Sequence, residues 1–85
     1  MRNIWKMIKR YPTGRPVPLE SSALRQVSYN PKLRQLDVQF QSGKTYRYGC
    51  VDAHTYHGLL DAQSAGGFFV AHVRNDHPVM PVASK

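Results

Sequence analysis

Apolar and polar side chains alternate along two neighbouring stretches in the middle of the chain. Residues 36–41 alternate at every step, and soon afterwards Tyr46 and Tyr48 alternate with smaller or polar side chains. Because successive strand side chains point to opposite faces, both stretches predict half-buried strands. The short connection through Gly43 predicts a β-hairpin, with both tyrosines on the same core face as the apolar residues of the first stretch.

A first strand precedes this hairpin. Residues 23–29 predict a strand in which Leu24 falls out of phase, which indicates a bulge. The Asn-Pro pair at 30–31 favours a turn, since Asn tolerates unusual backbone angles and Pro presets φ. Because strands over 33–41 and 43–51 follow, the chain predicts an antiparallel meander of three strands.

The spacing of apolar residues becomes helical after residue 51. Asp52 is a favourable N-cap, and residues 53–62 predict an amphipathic helix. The Gly-containing stretch 64–67 predicts a break, followed by a second short helix to about Arg74. The predicted fold class is therefore α+β, a three-stranded antiparallel β-meander followed by two short helices packed on one sheet face, in the order β-β-β-α-α.

Length and composition predict one small domain. With 85 residues there is room for one core, and we expect a monomer. Cys50 is the only cysteine, so no disulfide can form within the chain, and we expect a reducing, cytoplasmic location. No apolar run approaches about 18 residues, and the basic start lacks the apolar run of a signal peptide, so no membrane partner is predicted.

Charge is unevenly placed along the chain. Twelve Lys and Arg against five Asp and Glu give a formal net charge of +7 at pH 7. Residues 1–20 are assigned to a basic, proline-containing N-terminal arm, with no acidic residue before Glu20. We assign residues 21–78 to the domain itself and residues 79–85, which include Pro81, to a flexible C-terminal tail.

This charge favours a polyanionic partner, and we predict RNA, either tRNA or single-stranded RNA. Tyr46 and Tyr48 are expected to be structural, because they face the core. For Trp5 and Tyr11 of the arm, stacking on bases and packing at the core edge both remain open. The predicted RNA-binding residues lie on the open sheet face and in the arm; they are Lys6, Lys9, Arg10, Arg15, Arg25, Arg34, Lys44 and Arg47.

Cysteine and histidine residues are too scattered to predict a metal site. Cys50, His54 and His57 are close in sequence, but we expect Cys50 to face inwards from its strand. A Cys-His pair at this place has no third orienting group and no oxyanion element, so no catalytic residue is predicted. We therefore expect a non-catalytic protein without metal or cofactor.

Docking of a protein partner is the alternative function. Phe68, Phe69 and Val70 on the short second helix, or the uncapped edge strand of the sheet, offer a surface for a partner chain. Burial of the phenylalanines in the domain's own core is the competing interpretation. Steep loss of affinity with salt would distinguish RNA binding from hydrophobic docking.

An ordered set of short motifs runs through the domain. They lie at residues 21–24, 27–31, 36–40, 42–43, 46–48, 66–69 and 72–74. This set, over residues 21 to about 78, resembles the KTSC domain family, which occurs at the C-terminus of a lysyl-tRNA synthetase and as a stand-alone bacterial protein. The resemblance implies a domain of uncharacterised function, with RNA binding suggested by the attachment to a synthetase. Gly67 stands where many members carry a basic or polar residue, so one expected charge is absent.

Overall fold

Antiparallel strands, each paired with the next along the chain, form a five-stranded sheet. The structure is a computed structural model that describes residues 11–82. Within these residues the strand order is β1-β2-β3-β4-β5. The elements are β1 (Val17–Pro18), β2 (Leu24–Asn30), β3 (Gln35–Phe40), β4 (Thr45–Tyr48), α1 (Ala53–Asp61), α2 (Ala65–His72) and β5 (Val79–Val82).

The predicted α+β class, with its meander and two following helices, is confirmed. β2, β3 and β4 form the meander, in which Val38 lies opposite Tyr46 and Leu36 opposite Tyr48. The bulge predicted at Leu24 is a shift of the β2–β3 register beside that residue. These features follow from the alternation of apolar and polar residues within each strand. Once short turns join the strands, only one register places all their apolar side chains on the buried face.

The sheet has five strands where the sequence predicts three. β1 lies in the predicted arm, and β5 lies in the predicted tail. The Gly49 N–H donates to the Pro78 carbonyl at 2.8 Å. In an antiparallel pair only every second residue bonds to a given neighbouring strand, so the backbone nitrogen of Pro81 points to the open edge of the sheet and not to β4. A proline at that position removes no bond of the ladder. Both added strands are short. They form because they pair with β2 and β4, and not because their own residues alternate between apolar and polar.

The second predicted strand begins later than expected. β3 starts at Gln35 and not at residue 33. The Asn30 side chain accepts hydrogen bonds from the backbone N–H groups of Lys32 and Leu33, at 3.0 and 3.1 Å, and so holds a turn. Leu33 consequently lies outside the alternation that buries the apolar side chains of β3.

Both helices cover the same face of the sheet. The rings of Tyr29 in β2 and Tyr56 in α1 stack with their centroids 4.6 Å apart. Phe69 in α2 packs edge-to-face on Tyr48 of β4, with centroids 5.3 Å apart. α1 therefore lies over the β2 side of the sheet and α2 over the β4 side, and the opposite face is left without a helix. The buried core comprises Val17, Leu24, Val27, Tyr29, Leu36, Val38, Tyr48, Val51, Tyr56, Leu59, Leu60, Ala65, Phe69 and Val73.

Polar side chains fix the start of each helix. Asp52 accepts a hydrogen bond from the backbone N–H of Thr55 at 2.9 Å, as the sequence predicts for an N-cap. Ser64 caps α2 by accepting from the Gly67 N–H at 3.0 Å, so α2 begins at Ala65 and includes the glycines that were expected to break the helix. No helix within residues 11–82 has the length and apolarity needed to cross a membrane.

Gly58 allows α1 and α2 to approach each other. A Cβ at this position would lie 2.6 Å from Cζ and 2.9 Å from Cε2 of Phe68. We expect Gly58→Ala to lower the free energy of unfolding by about 1 kcal/mol, because the overlap outweighs the gain in helix propensity. In a Phe68→Ala background the overlap is gone, and the same change should stabilise the protein by up to about 1 kcal/mol. Urea unfolding of the four variants checks this double-mutant cycle, and equal effects in both backgrounds would contradict it.

Candidate nucleic-acid interface

The described part of the chain carries little of the net charge. Residues 11–82 contain seven Lys and Arg against five Asp and Glu, a net charge of +2 out of the total of +7. The remaining five units come from residues 1–10 and 83–85. Three predicted RNA-binding residues, Lys6, Lys9 and Arg10, lie outside the described residues. A polyanion approaching this protein therefore meets most of the excess charge at the chain termini.

Arg47 is paired with an acidic neighbour on the open sheet face. Its Nε and Nη2 donate to the two carboxylate oxygens of Asp37, at 2.8 and 3.0 Å. The side chains are 37% and 29% exposed, and the hydrogen bonds to Asp37 raise the pKa of Arg47. A bidentate partner occupies the guanidinium fork that a phosphate would use. Arg47 points away from the core, as predicted, but its charge is neutralised there.

Arg25 and Lys44 lie together at the end of the sheet that carries the β3–β4 turn. Arg25 Nη2 donates to the carbonyl of Gln41 in this turn at 3.3 Å. Lys44 is an exposed residue of the same turn. Arg25 lies at the other end of β2 from Tyr29, to whose carbonyl Gly14 bonds. The Leu19 N–H of the arm donates to the Arg25 carbonyl at 3.0 Å.

Arg15 and Arg34 lie at the opposite end, beside the β2–β3 turn. The N–H of Gly14, next to Arg15, donates to the Tyr29 carbonyl at 2.8 Å, which places Arg15 near the end of β2. The Arg34 carbonyl accepts from the Val51 N–H at 2.9 Å, just before α1. Both arginines are exposed. We call Arg15, Lys32 and Arg34 the basic end of the sheet.

Tyr11, in the middle of the arm, packs on α1. Its ring stacks on His57, with centroids 3.9 Å apart and an interplanar angle of 18°. Its hydroxyl donates to Asp61 Oδ2 at 2.6 Å, and this bond raises the pKa of the hydroxyl. Of the two interpretations left open for Tyr11, packing at the core edge is the one that the structure supports. Trp5 lies outside the described residues.

Tyr46 and Tyr48 occupy the core face of the sheet. Tyr48 is 5% exposed, and Tyr46 is partly buried against the core. The Tyr46 ring meets Phe40 edge-to-face, with centroids 5.9 Å apart. Neither ring lies on the open face, where it would need to be to stack on bases together with Arg47.

The Cys50 side chain is exposed, which corrects the expectation that it faces inwards. β4 ends at Tyr48, so Cys50 lies beyond the strand, and its positive φ of 58° breaks the alternation on which that expectation rested. Within residues 11–82, the His, Cys, Asp and Glu side chains form no group of three that could hold a metal ion.

The apolar residues of α2 are divided between core and surface. Phe69 is 4% exposed and belongs to the core, while Phe68 packs on α1 against Gly58. Val70 is 53% exposed. The phenylalanine pair considered for docking is therefore mostly engaged within the domain, and Val70 is its exposed apolar neighbour.

Comparison with known proteins places this fold in a family. The family model of the KTSC domain matches residues 20–77, which include every described element except β1 and β5. The chain belongs to this family. The crystal structure of a KTSC domain protein from Yersinia pestis aligns with a TM-score of 0.79 and 26% identity, covering 81% of this chain and 97% of that chain.

Two sequence relatives of this KTSC domain come from other bacteria. An uncharacterized protein of Stutzerimonas stutzeri (strain A1501) is 43% identical over 53 residues, which is 62% of this chain and 75% of the relative. A protein of Tsukamurella paurometabola is 39% identical over 51 residues, 60% of this chain and 76% of the relative. The family match contains Lys32 and Arg34 but excludes residues 1–19, which include Arg15.

The sequence prediction missed Lys32 of the basic end and its neighbour Leu33. Leu33 was assigned to a strand, which concealed that it is 61% exposed at the turn. Asn30 followed by Pro31 was the available signal, since it predicted the turn that holds both residues.

Proposed function

We propose that this KTSC domain is a small non-catalytic RNA-binding module that acts in the cytoplasm. It binds RNA phosphates with the cations of the N-terminal arm and with the basic end of the sheet. The observation that carries the proposal is the uneven charge. Residues 11–82 have a net charge of +2, whereas residues 1–10 contain Arg2, Lys6, Lys9 and Arg10 and no acidic residue.

The position of Tyr11 supports joint use of the arm and the basic end. Tyr11 is held on α1 by His57 and Asp61, so Arg10 is one residue away from a fixed point of the fold. Pro12, next to Tyr11, accepts a hydrogen bond from the Tyr56 hydroxyl, and Arg15 follows three residues later. Arg10 and Arg15 are therefore joined by a short segment whose residues Tyr11 and Gly14 are held on α1 and β2, and cations joined in this way can bind one phosphate backbone.

Arg47, which the sequence predicts to bind RNA, is not part of the proposed RNA surface. Asp37 holds it in a bidentate pair, and opening that pair would offset much of the gain from a phosphate contact. The proposed RNA surface is accordingly the arm together with the basic end of the sheet. It leaves out the open sheet face, and it also leaves out Arg25 and Lys44, which lie at the other end of the β2–β3 pair.

Binding of a labelled RNA tests the proposal through its salt dependence. We expect fluorescence anisotropy of the full chain with tRNA or single-stranded RNA to show affinity that falls steeply between about 50 and 200 mM salt. Lys6→Gln/Lys9→Gln/Arg10→Gln should weaken binding about 10-fold at about 50 mM salt and lower the log-log slope by about 2, because three phosphate contacts are lost.

A variant with the same loss of charge provides the control. Arg25→Gln/Lys44→Gln/Arg74→Gln removes three exposed cations outside the arm and should leave affinity within about 3-fold of wild type. Equal weakening by both variants would mean that net charge alone governs binding, and would overturn the role of the arm. Absence of binding to either RNA at about 50 mM salt would refute the proposed function.

Docking of a protein partner remains the second candidate function. Exposed apolar side chains favour it: Val70 on α2, and Val79 and Met80 on β5, are each more than half exposed. β5 is also one of the two edge strands of the described sheet, although Pro81 removes one backbone donor from that edge. A partner bound there should be released by Val70→Asp and should keep its affinity as salt rises.

A further inference from the structure

The β2–β3 turn, residues 31–34, projects from the sheet with a fixed backbone. The Asn30 Oδ1 atom accepts hydrogen bonds from the N–H groups of both Lys32 and Leu33. Arg34 has a left-handed φ of 55°, and its carbonyl is bonded to the Val51 N–H. The turn is thus attached at both ends, so binding through it would cost little conformational entropy.

An apolar side chain lies between two cations at the tip of this turn. Leu33 is 61% exposed, and both Lys32 and Arg34 are exposed as well. Asp52 interacts electrostatically with Arg34. Within residues 11–82 the two side chains form no ion pair, so Arg34 is not held by a carboxylate as Arg47 is. A side chain flanked by two cations suits a shallow groove whose two rims carry phosphates, because the cations meet the rims while the side chain fits the groove by shape.

The ring faces on the core side of the fold are already occupied. Tyr29 stacks on Tyr56, Tyr11 stacks on His57, and Phe40 packs edge-to-face on Phe69. Recognition of single-stranded RNA depends on aromatic faces that accept bases. Recognition of double-stranded RNA depends on contacts to phosphates and to the wide, shallow minor groove. The exposed side chains of this turn can make both kinds of contact.

We propose that the β2–β3 turn inserts into the minor groove of double-stranded RNA, with Lys32 and Arg34 on phosphates and Leu33 against the groove. This inference rests on the proposed function and names its substrate class. Arg15 of the arm lies at the same end of the sheet as the turn, so it adds a phosphate contact to those of Lys32 and Arg34.

Two variants separate the charged and apolar contacts of the turn. Lys32→Gln/Arg34→Asn removes both charges, and Asn tolerates the left-handed backbone at position 34. With an RNA hairpin of about 16 base pairs, this variant should bind about 10-fold more weakly and lower the salt slope by about 1.5, because two phosphate contacts are lost. Leu33→Ala should weaken binding about 3-fold with the salt slope unchanged, since the leucine neutralises no phosphate.

The control is Arg25→Gln/Lys44→Gln, which removes two charges at the other end of the sheet and should bind the hairpin within about 2-fold of wild type. Circular dichroism of each variant verifies that the fold is retained. A turn variant that binds like this control would overturn the inference while leaving RNA binding by the arm intact. Tighter binding to an unstructured uridine-rich RNA, or to anionic phospholipid vesicles, than to the hairpin would also overturn it. Failure of the wild-type protein to bind any RNA would instead refute the proposed function.

Discussion

Replacing Tyr56 with alanine is expected to lower the free energy of unfolding by about 3–5 kcal/mol. Tyr56 is 0% exposed, its ring stacks on Tyr29, and its hydroxyl donates to the Pro12 carbonyl. Truncation leaves a cavity between α1 and β2 and an unpaired carbonyl near the arm. Because small domains have only about 5–15 kcal/mol of stability, this variant should lose a large fraction of the free energy of unfolding.

Urea unfolding followed by far-UV circular dichroism measures this loss. The matched variant is Tyr56→Phe, which keeps the stack and removes only the hydroxyl, and it should cost about 1 kcal/mol. Exposed His54 in the same helix serves as the surface control, since His54→Ala should change stability by less than about 0.5 kcal/mol. A loss below about 1 kcal/mol for Tyr56→Ala would show that the stack is not part of the core.

Alkaline pH is expected to destabilise the fold through its buried phenols. Burial raises the pKa of Tyr56 from 10.0 to about 12, and burial also raises the pKa values of Tyr29 and Tyr48. The unfolded chain loses these protons near pH 10, while the folded chain retains them to higher pH. The stabilisation is therefore complete below about pH 10 and is lost as pH rises towards 12, with about 2 kcal/mol attributable to Tyr56.

Urea unfolding at a series of pH values from about 8 to 12 tests this dependence. Tyr56→Phe cannot ionise at that position, so its stability should fall less steeply above pH 10 than that of the wild type. Tyrosinate absorbance of the folded protein should likewise rise later in pH than that of the urea-unfolded chain. Superimposable titrations of the two states would contradict the prediction.

The order, the pairing and the buried face of the β2–β3–β4 meander could be predicted because their information is local, although β3 and β4 are shorter than predicted. Tyr46 and Tyr48 alternate with polar residues, and the short turn through Gly43 brings them beside β3 with a single register that buries all the apolar side chains. The cap at Asp52 was predictable for the same reason, since an N-cap requires only a hydrogen bond to a nearby backbone N–H.

The edge strands could not be predicted from their own residues. β1 has two residues and β5 contains Pro81, so neither has a pattern long enough to indicate a strand. Their order comes from pairing with strands that are distant in sequence. The start of α2 was missed because Gly66 and Gly67 have low helix propensity, which capping by Ser64 and packing of Phe69 overcome.

The candidate RNA surface was likewise predictable only in part. The number and sequence positions of the cations were known from the chain, but their availability was not. Arg47 is neutralised by Asp37 from the neighbouring strand, whereas Lys32 and Arg34 are exposed at a turn. Whether a charge is paired depends on which side chains the sheet register places opposite it, and that register joins residues ten positions apart.

The sequence by itself determined the α+β class, the meander and its buried face, the two helices, and the excess of positive charge near the N-terminus. These properties depend on periodicity and composition, which act within one strand, one helix or one turn. Only the tertiary structure decided the two edge strands, the pairing of Arg47, the attachment of Tyr11 to α1 and the exposure of Leu33. Each of these depends on contacts between segments distant in the chain, or on which side chains the packed core leaves at the surface.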